Sequence, residues 1–344
     1  MSRRVVVTGM GAVTPIGTNV EKFWDAVKQG VCGIDFIENF DITDSKVKLA
    51  AEVKEFSSEH CIDKKEAKRM GRFTQFAICA ADEAINNSGI NLDEIDRLRF
   101  GVCVGSGIGG IETMEKEYQS MQKRGIGKVS PLTIPIMIGN MAAGNIAIRF
   151  GAKGPCTCTV TACATGTDCI GEAFRNIKHG YADIMLAGGA EASITPLSIS
   201  GFTALTALSK SEDPKRASIP FDKERNGFVM GEGSGMILIE EMEHAINRGA
   251  NIYAEIVGYG VTCDAHHITA PSPSGEGGAR AINLAIEEAS IDKSEIGYIN
   301  AHGTSTELND KFETMAIKSV FGNGAKELLV SSTKSMTGHL LGAA

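Results

Sequence analysis

Two hydrophobic patterns alternate along most of this chain. Short runs rich in β-branched residues, such as Val5 to Gly9 and Phe100 to Val104, are each followed by a longer stretch with helical periodicity. This alternation is typical of βα units, so it predicts an α/β fold built on a mostly parallel sheet. Further strands are predicted at 156–160, 184–187, 236–240, 253–258, 297–301 and 328–331. Helices are predicted at 20–29, 74–87, 135–150, 164–178, 277–289 and 310–321.

Part of this pattern occurs twice. Residues 84–102 and 283–301 both read as a helix end, an isoleucine, an acidic loop and a strand, with Ile90 and Ile291 at matching positions. A second block, at 150–166 and again at 321–338, reads as Phe-Gly, a strand and a Thr-to-Gly hexapeptide. Two similar halves are therefore predicted, at 1–250 and 251–344. Only six residues follow Gly338, so we expect the second half to be incomplete at its C-terminal end.

Composition excludes several classes of protein. With 43% hydrophobic and 22% charged residues, the chain is an ordinary globular protein rather than a disordered one. Its 34 basic and 42 acidic residues give a net charge of -8, which argues against nucleic-acid binding. Because we find neither a long apolar run nor a signal peptide, we expect a cytoplasmic protein without a membrane anchor. The nine cysteines show no CxxC or zinc-finger spacing, so we predict no metal site and place most of them in the core.

One cysteine has a distinctive setting. Cys163 lies within the run Thr161 to Gly166, between an apolar strand and a helix that begins near Ala164. A thiol at a helix N-terminus lies near the positive end of the helix dipole and beside free N–H groups, which lower its pKa and can bind an oxyanion. Cys163 is therefore a candidate nucleophile. The competing interpretation is a buried cysteine, as we expect for Cys156 and Cys158.

Two histidines have a related setting. His302 and His339 each lie in a loop that follows a predicted strand, as the turn at Cys163 does. Because open α/β sheets place their sites at the carboxyl ends of parallel strands, we expect these three side chains to converge. Taken singly, each histidine is also compatible with an ordinary turn residue.

Two glycine-rich segments resemble nucleotide-binding loops only superficially. The run Gly105 to Gly110 fits GxGxxG after a strand, but no acidic residue ends a following strand at the required distance. We interpret it as a close-packed turn. The segment 228–235 lacks the lysine of a phosphate-binding loop, so we interpret it as a hairpin or strand entry. No organic cofactor is predicted.

Basic residues cluster in two places despite the negative net charge. Lys64, Lys65, Lys68, Arg69 and Arg72 occur at helical spacing, and Lys123, Arg124 and Lys128 form a second group. Such runs are usually solvated faces of helices. Residues Lys65, Lys68 and Arg69 are also candidates for docking an acidic partner.

Taken together, the loops at Cys163, His302 and Lys334/His339 resemble the β-ketoacyl-[acyl-carrier-protein] synthases, the elongating condensing enzymes of bacterial type II fatty-acid synthesis. The resemblance runs from Val5 to the last residue and includes Pro220-Phe221-Asp222. It implies a thiolase-like fold, in which two βαβαβαββ halves form a five-layered α/β/α/β/α core, and a homodimer. It also implies decarboxylative Claisen condensation of malonyl-[acyl-carrier-protein] with an enzyme-bound acyl chain. The products are 3-oxoacyl-[acyl-carrier-protein] and CO2, and no cofactor or metal is needed.

The resemblance assigns expected roles to individual residues. Cys163 would accept the acyl chain, His302 and His339 would form the decarboxylation site, and Lys334 would lie beside them. Thr304 and Thr306 would bind the pantetheine arm, and Ile108 and Phe202 would line the acyl pocket. Lys65, Lys68 and Arg69 would then meet the acyl carrier protein.

The sequence departs from the family at its C-terminal end. Family members continue past His339 with a helix bearing a glutamate and a FGFGG-type loop that gates the acyl pocket and completes the oxyanion hole. Because this sequence stops at Ala344, we expect either a piece of a longer enzyme or a chain whose site is defective or ungated. The alternatives are a non-decarboxylating thiolase, a Cys-His thioester hydrolase and a non-catalytic partner subunit, the last of which Cys163 opposes.

Overall fold

The structure is a computed structural model that describes residues 3–344, with ten strands and twelve helices. The strands are β1 (Val5–Val13), β2 (Asp35–Phe36), β3 (Leu49–Ala50), β4 (Phe100–Gly105), β5 (Cys156–Thr157), β6 (Ile184–Glu191), β7 (Gly233–Glu241), β8 (Ala254–Ile256), β9 (Tyr298–Asn300) and β10 (Leu329–Ser331). The helices are α1 (Val20–Gln29), α2 (Lys64–Ala67), α3 (Arg72–Ser88), α4 (Ile111–Arg124), α5 (Thr133–Met137), α6 (Met141–Phe150), α7 (Thr165–Lys178), α8 (Pro196–Ala204), α9 (Met242–Asn247), α10 (Glu276–Ala289), α11 (Glu307–Phe321) and α12 (Lys334–Thr337). Within the described residues, every helix is too short or too polar to cross a bilayer.

A six-stranded sheet in the order β5-β4-β6-β7-β1-β8 forms the centre of the molecule. Strands β5, β4 and β6 are parallel, whereas β7 is antiparallel to both β6 and β1, and β8 is antiparallel to β1. The sheet is therefore mixed, and the prediction of a mostly parallel sheet was wrong. An apolar β-branched run shows that a strand is buried on both faces, but it carries no information on the direction of that strand.

Helices cover both faces of this sheet. On one face, α3 and α6 contribute Phe73, Phe76 and Ile146 to a hydrophobic cluster, and on the other α7 contributes Phe174 and Ile177 to a second one. Helix α3 lies very close to β1. A Cβ atom added at Gly9 or Gly11 of β1 would lie about 2 Å from a backbone carbonyl of α3, so only glycine permits this approach.

The C-terminal part of the chain adds a smaller layer. Strands β9 and β10 pair in parallel, and α10 and α11 pack together through Ala279, Ala316 and Val320. Strand β8, which follows the predicted boundary at residue 250, pairs with β1 of the central sheet. The division into halves at 1–250 and 251–344 stays a prediction.

Several predicted elements have different bounds in the structure, and two of them differ in a way that bears on the site. The helix predicted at 135–150 is interrupted at residues 138–140, between α5 and α6. The close-packed turn after β4 lies against this break, because a Cβ atom at Gly110 would meet Met137 Cα at 2.7 Å. The strand predicted at 156–160 pairs over Cys156–Thr157 only. Residues 158–160 are not part of the strand and lead into the turn that carries Cys163.

The cysteines do not all behave as predicted. Cys61, Cys79, Cys103 and Cys169 are buried, but Cys32, Cys156 and Cys263 are exposed, so the prediction of a mostly buried set was wrong. Cys156 is exposed because it lies on the edge strand β5.

A Cys61–Cys79 disulfide, which the sequence did not indicate, links the segment before α2 to α3. A spacing of 18 residues carries no signal for such a pair.

Candidate active site

The turn that carries Cys163 is held in an unusual backbone conformation. A short 3₁₀ turn, Ala162–Ala164, precedes the first residue of α7, and Ala162 has φ = 52°. This left-handed conformation is uncommon for a residue with a side chain and persists where its surroundings fix it. Here the Thr161 N–H donates to Thr165 Oγ1 at 2.9 Å. The turn places the partly exposed thiol of Cys163 at the N-terminal end of α7.

Cys163, His302 and His339 lie together at one end of the sheet. His339 Nε2 is 3.0 Å from Cys163 Sγ, and the two imidazole rings are 5.2 Å apart in a nearly perpendicular arrangement. The Cys163 sulfur and one ring nitrogen of each histidine all lie within 4.8 Å of one another. The structure thus brings together three side chains that are at least 37 residues apart in sequence.

The backbone fixes the tautomer of His339. The Leu341 N–H donates to His339 Nδ1 at 3.2 Å, so Nδ1 is an acceptor and the ring proton is on Nε2, facing Cys163. The histidine is 2% exposed, and its own backbone N–H and C=O bond to Val229 and Gly231 at 2.7 and 2.8 Å. The ring therefore has little freedom to flip.

His302 is positioned through its backbone by a carboxylate. The N–H groups of His302 and Gly303 donate to the two oxygens of Glu313 on α11, at 2.7 and 2.8 Å. Ser332 Oγ donates to the Gly303 carbonyl at 2.8 Å. Sequence reasoning missed Glu313, although Asp310 and Glu313 lie one helical turn apart directly after the His302 loop, which is a usable signal.

Lys334 brings a buried ammonium group to the same region. The residue begins α12 and is 9% exposed, and its carbonyl accepts a bond of 2.8 Å from Ser218 Oγ. Burial lowers the pKa of Lys334, while the charges of Glu313, Cys163 and Asp310 oppose that shift. Each of these three groups is close enough to Lys334 to favour its charged form.

Burial keeps both histidines neutral. It lowers the pKa of His302 to about 3, with a further contribution from Lys334. Burial, His302 and Lys334 together lower the pKa of His339 well below its usual value. At neutral pH each ring is therefore an uncharged imidazole that keeps one N–H donor. Burial raises the pKa of the Cys163 thiol, and the Lys334 charge opposes that rise.

Two groups among the described residues have the composition of metal ligands. The first consists of Cys163, His302 and His339, and the second of His60, Cys61 and Cys79. In the first, His339 Nε2 carries a proton and has no lone pair for a metal ion. In the second, the two sulfur atoms are bonded to each other. That the protein needs no metal stays a prediction.

Of the four residues predicted to bind substrate, Phe202 is connected to this centre through one intervening ring. Thr304 is buried, and its hydroxyl lies 2.9 Å from that of Thr306. Phe202 on α8 packs edge-on against Phe228, which packs edge-on against His339 at 5.2 Å between ring centres. Sequence reasoning missed Phe228, the ring that connects Phe202 to the centre. Ile108 is 38% exposed in the turn after β4.

The glycine-rich turn after β4 binds an internal carboxylate. The N–H groups of Gly107 and Ile108 donate to Glu191 at 2.8 and 3.3 Å. These are the backbone donors that a nucleotide-binding loop would offer to a phosphate. The structure thus supports the interpretation of a close-packed turn.

The predicted docking residues lie apart on the surface. Lys65, Lys68 and Arg69 are exposed on α2 or directly after it. Lys68 also lines a cavity of about 410 Å³ between α2, α3 and α4. Arg72, which the sequence places in the same run, instead forms an ion pair with the buried Glu232 at 2.8 Å.

Comparisons with known proteins agree with this architecture. Residues 2–245 match the family described as Beta-ketoacyl synthase, N-terminal domain, and residues 253–344 match Beta-ketoacyl synthase, C-terminal domain. Proteins named 3-oxoacyl-[acyl-carrier-protein] synthase 2 are 52% identical in Synechocystis sp. and 54% identical in Staphylococcus aureus. Each alignment covers 99% of this chain and 82% or 83% of the relative.

Solved structures show the same fold. A type II PKS ketosynthase in complex with its acyl-carrier protein superimposes with a TM-score of 0.91 at 37% identity, covering 100% of this chain and 83% of that one. A β-ketoacyl synthase from Burkholderia phymatum gives 0.90 at 36% identity, covering 99% and 83%. The predicted thiolase-like α/β fold and the predicted family resemblance are both confirmed. The chain belongs to the β-ketoacyl synthase family.

Proposed function

We propose that this chain is a decarboxylating condensing enzyme that elongates fatty acyl chains carried by acyl carrier protein. The observation that carries the proposal is the cluster of one helix-terminal cysteine and two neutral histidines, with His339 Nε2 3.0 Å from Cys163 Sγ. The names of the curated relatives support the same reaction.

In the first step, the Cys163 thiolate attacks the acyl thioester on the carrier protein. A bond forms between Sγ and the acyl carbon, the bond from that carbon to the carrier sulfur breaks, and the carrier sulfur departs as a thiolate that takes a proton from solvent, which had received the proton of the Cys163 thiol. Thioester exchange is nearly isoenergetic, so the acyl group is stored without an energy source. The N-terminal end of α7 and the charge of Lys334 stabilise the thiolate.

In the second step, malonyl thioester loses CO2. The electron pair of the broken C–C bond forms an enolate, whose oxygen accepts hydrogen bonds from the N–H groups of His302 and His339. Neutral imidazoles suit this task because they donate hydrogen bonds without holding the product enolate as an ion pair. The enolate carbon then attacks the acyl carbonyl on Cys163, whose oxyanion is held by the Cys163 N–H. The sulfur leaves, and 3-oxoacyl-[acyl-carrier-protein] forms.

The other predicted residues take supporting roles in this proposal. Thr304 and Thr306 bind the pantetheine arm, and Ile108 and Phe202 line the acyl pocket. Lys65, Lys68 and Arg69 dock the acidic carrier protein. The enzyme acts in the cytoplasm as a homodimer.

Two substitutions of Cys163 test the proposal. Cys163→Ala removes the acyl acceptor, so condensation of acyl- and malonyl-[acyl-carrier-protein] falls to background. Cys163→Gln mimics the acylated state, so it releases CO2 from malonyl-[acyl-carrier-protein] without condensing. The control is Cys263→Ala at an exposed position, which keeps wild-type rates. Condensation by Cys163→Ala contradicts the proposal, and Cys163→Gln that releases no CO2 contradicts the role of the two histidines.

The same assays separate the alternative reactions. Exchange of acyl groups between thioesters without malonate, together with no CO2 release, indicates a thiolase. Release of free fatty acid indicates a hydrolase. Failure of Cys163 to react with a thiol-directed acyl mimic indicates a non-catalytic subunit.

A further inference from the structure

Glu191, the last residue of β6, is a fully buried carboxylate near the candidate active site that the reaction above does not use. Five donors surround it. Oε1 accepts from Ser106 Oγ at 2.9 Å, Ser193 Oγ at 2.9 Å and Ile108 N at 3.3 Å, and Oε2 accepts from Gly107 N at 2.8 Å and Gly342 N at 3.1 Å.

The side chain has the donors that a buried carboxylate needs. Burial raises the pKa of Glu191, and the hydrogen bonds from Ser106, Gly342, Ser193 and Gly107 oppose that shift because each one donates to the carboxylate. A buried charge is costly unless it is fully hydrogen-bonded. A neutral side chain of similar size would avoid that cost if the position served packing alone.

One of these bonds reaches the turn that orients His339. Gly342 follows Leu341, whose N–H donates to His339 Nδ1 at 3.2 Å. Leu341 has φ = 50°, a left-handed conformation that is strained for a residue with a branched side chain. Such strain persists only where neighbouring contacts fix the backbone, and the bond from Gly342 N to Glu191 is one of those contacts.

Close packing around Gly342 adds to the restraint. A Cβ atom at Gly342 would lie 2.2 Å from Gly107 N, and one at Gly189 would lie 2.1 Å from Gly342 O. The turn after His339 is therefore held between the loop after β4 and the end of β6. Glu191 bonds to all three segments: the loop at Gly107, the turn at Gly342 and the β6 terminus at Ser193.

We infer that Glu191 is a positioning residue for the reaction: by anchoring Gly342 it holds Leu341 in its strained conformation and so fixes the Nε2–H tautomer of His339. The kinetic part of this inference rests on the proposed function. Without the anchor, Leu341 relaxes, its N–H turns away from Nδ1, and the ring loses the bond that keeps its proton on the side of Cys163.

A second buried glutamate provides a matched control. Glu240 on β7 is also fully buried, and its carboxylate accepts bonds from Thr8, His244 and Arg248. None of these partners belongs to the turn after His339. Glu240→Gln therefore reports the cost of disturbing a buried carboxylate without disturbing the anchor.

The experiment compares Glu191→Gln and Glu191→Asp with Glu240→Gln in the full chain. Gln keeps the size but places an amide N–H2 against N–H donors, and Asp keeps the charge but cannot reach both Ser106 and Gly342. The tautomer of His339 is read from 15N chemical shifts after 15N-histidine labelling, with the resonance assigned by His339→Asn. Condensation kcat and KM for malonyl-[acyl-carrier-protein] are measured in parallel.

We expect wild type to show a single Nε2–H tautomer and Glu191→Gln to show a mixture. Its condensation kcat falls about 10- to 100-fold with KM unchanged, because a misaligned oxyanion donor acts on the transition state. Glu191→Asp shows a smaller change of the same kind, and Glu240→Gln keeps both the tautomer and kcat.

Two results overturn the inference. One is a folded Glu191 variant, Gln or Asp, with the wild-type tautomer and kcat. The other is an equal loss of kcat in Glu240→Gln. If the tautomer responds to Glu191 while wild type condenses nothing, the proposed function fails and the positioning role stands, because the NMR readout needs no turnover.

Discussion

Neutral histidines set the chemistry of this site apart from that of a cysteine-histidine ion pair. His339 has a pKa well below its usual value and carries its proton on Nε2, so it cannot take the thiol proton and remain as a neighbouring imidazolium. Stabilisation of the thiolate must come from other groups. Lys334 and the backbone N–H of Cys163, at the N-terminal end of α7, lower the pKa of the thiol against the effects of burial and Glu191.

Because Lys334, and not His339, stabilises the thiolate, Lys334→Met is expected to change the pKa of Cys163. Burial raises the pKa of Cys163 and the Lys334 charge opposes that rise, so removing the charge raises the pKa of Cys163 further. The rate of Cys163 alkylation by iodoacetamide, followed against pH, shifts to higher pH accordingly. Lys178→Met, which removes another partly buried lysine that pairs with Glu288, leaves the profile in place. An unshifted profile in Lys334→Met contradicts the role of the lysine charge.

His302 also links stability to pH. Its pKa is 6.5 when unperturbed and about 3 in the folded protein, so between these values the unfolded chain binds more protons than the folded one. The free energy of unfolding therefore falls as pH drops from about 6.5 to 3, by at most about 1.4 kcal/mol per pH unit for this group.

Urea unfolding at a series of pH values measures that slope. His302→Asn has a shallower slope than wild type between pH 6.5 and 3, because one neutral buried imidazole no longer has to be protonated on unfolding. The control is His179→Asn at an exposed position, which keeps the wild-type slope. Equal slopes in wild type and His302→Asn would show that His302 is not held neutral by the fold.

Sequence reasoning finds residues whose chemistry is visible in their type and position. Cys163, His302 and His339 each follow a strand, and the convergence expected from that placement is present in the structure. Glu191 acts through backbone N–H groups of distant loops, and such partners follow from the tertiary fold, whereas Glu313 acts on the loop directly before its own helix. A charged residue at the end of the apolar run 184–190 was the one local hint for Glu191.

At the scale of elements, the ends of helices follow from local chemistry. Helix α1 begins after Asn19, whose side chain caps the Lys22 N–H, and ends at Gly30 with φ = 66°, and both bounds agree with the prediction. The predicted helix at 135–150 failed because packing against Gly110 interrupts it. Strand direction also failed, since the antiparallel pairing of β7 follows from how the long connection after β6 returns to the sheet.

The short helix α2 carries the candidate docking charges, so it can be tested as a unit. Lys65→Glu/Arg69→Glu reverses two exposed charges, which weakens attraction to an acidic carrier protein and raises KM for malonyl-[acyl-carrier-protein] about tenfold at low salt. kcat and the alkylation rate of Cys163 stay unchanged, because neither residue contacts the Cys163 cluster.

A matched control corrects for net charge. Lys318→Glu/Lys326→Glu makes the same change in charge at exposed positions of α11 and of the turn that follows it. This variant keeps the wild-type KM. An equal rise in KM for both double variants would assign the effect to overall charge and remove α2 from the docking surface.

At the scale of the whole molecule, the two edges of the central sheet differ in their surroundings. Strand β5 forms one edge with both residues exposed, and Val160 just beyond it is 56% exposed. Helix α6 packs beside β5 and exposes 79% of Ile148. An edge strand with free N–H and C=O groups beside apolar side chains is suited to pairing with a second copy. We therefore place the predicted homodimer contact at β5.

Sedimentation equilibrium tests this placement. The 36.4 kDa chain sediments at twice its monomer mass. Val160→Lys shifts it toward monomer, because a lysine at the edge opposes strand pairing and loses apolar contact.

Val257→Lys is the matched control, since Val257 is 45% exposed just beyond β8 at the opposite edge. That variant stays dimeric. Dissociation by Val257→Lys with no effect of Val160→Lys would move the interface to the β8 edge, and a monomeric wild type would contradict the homodimer itself.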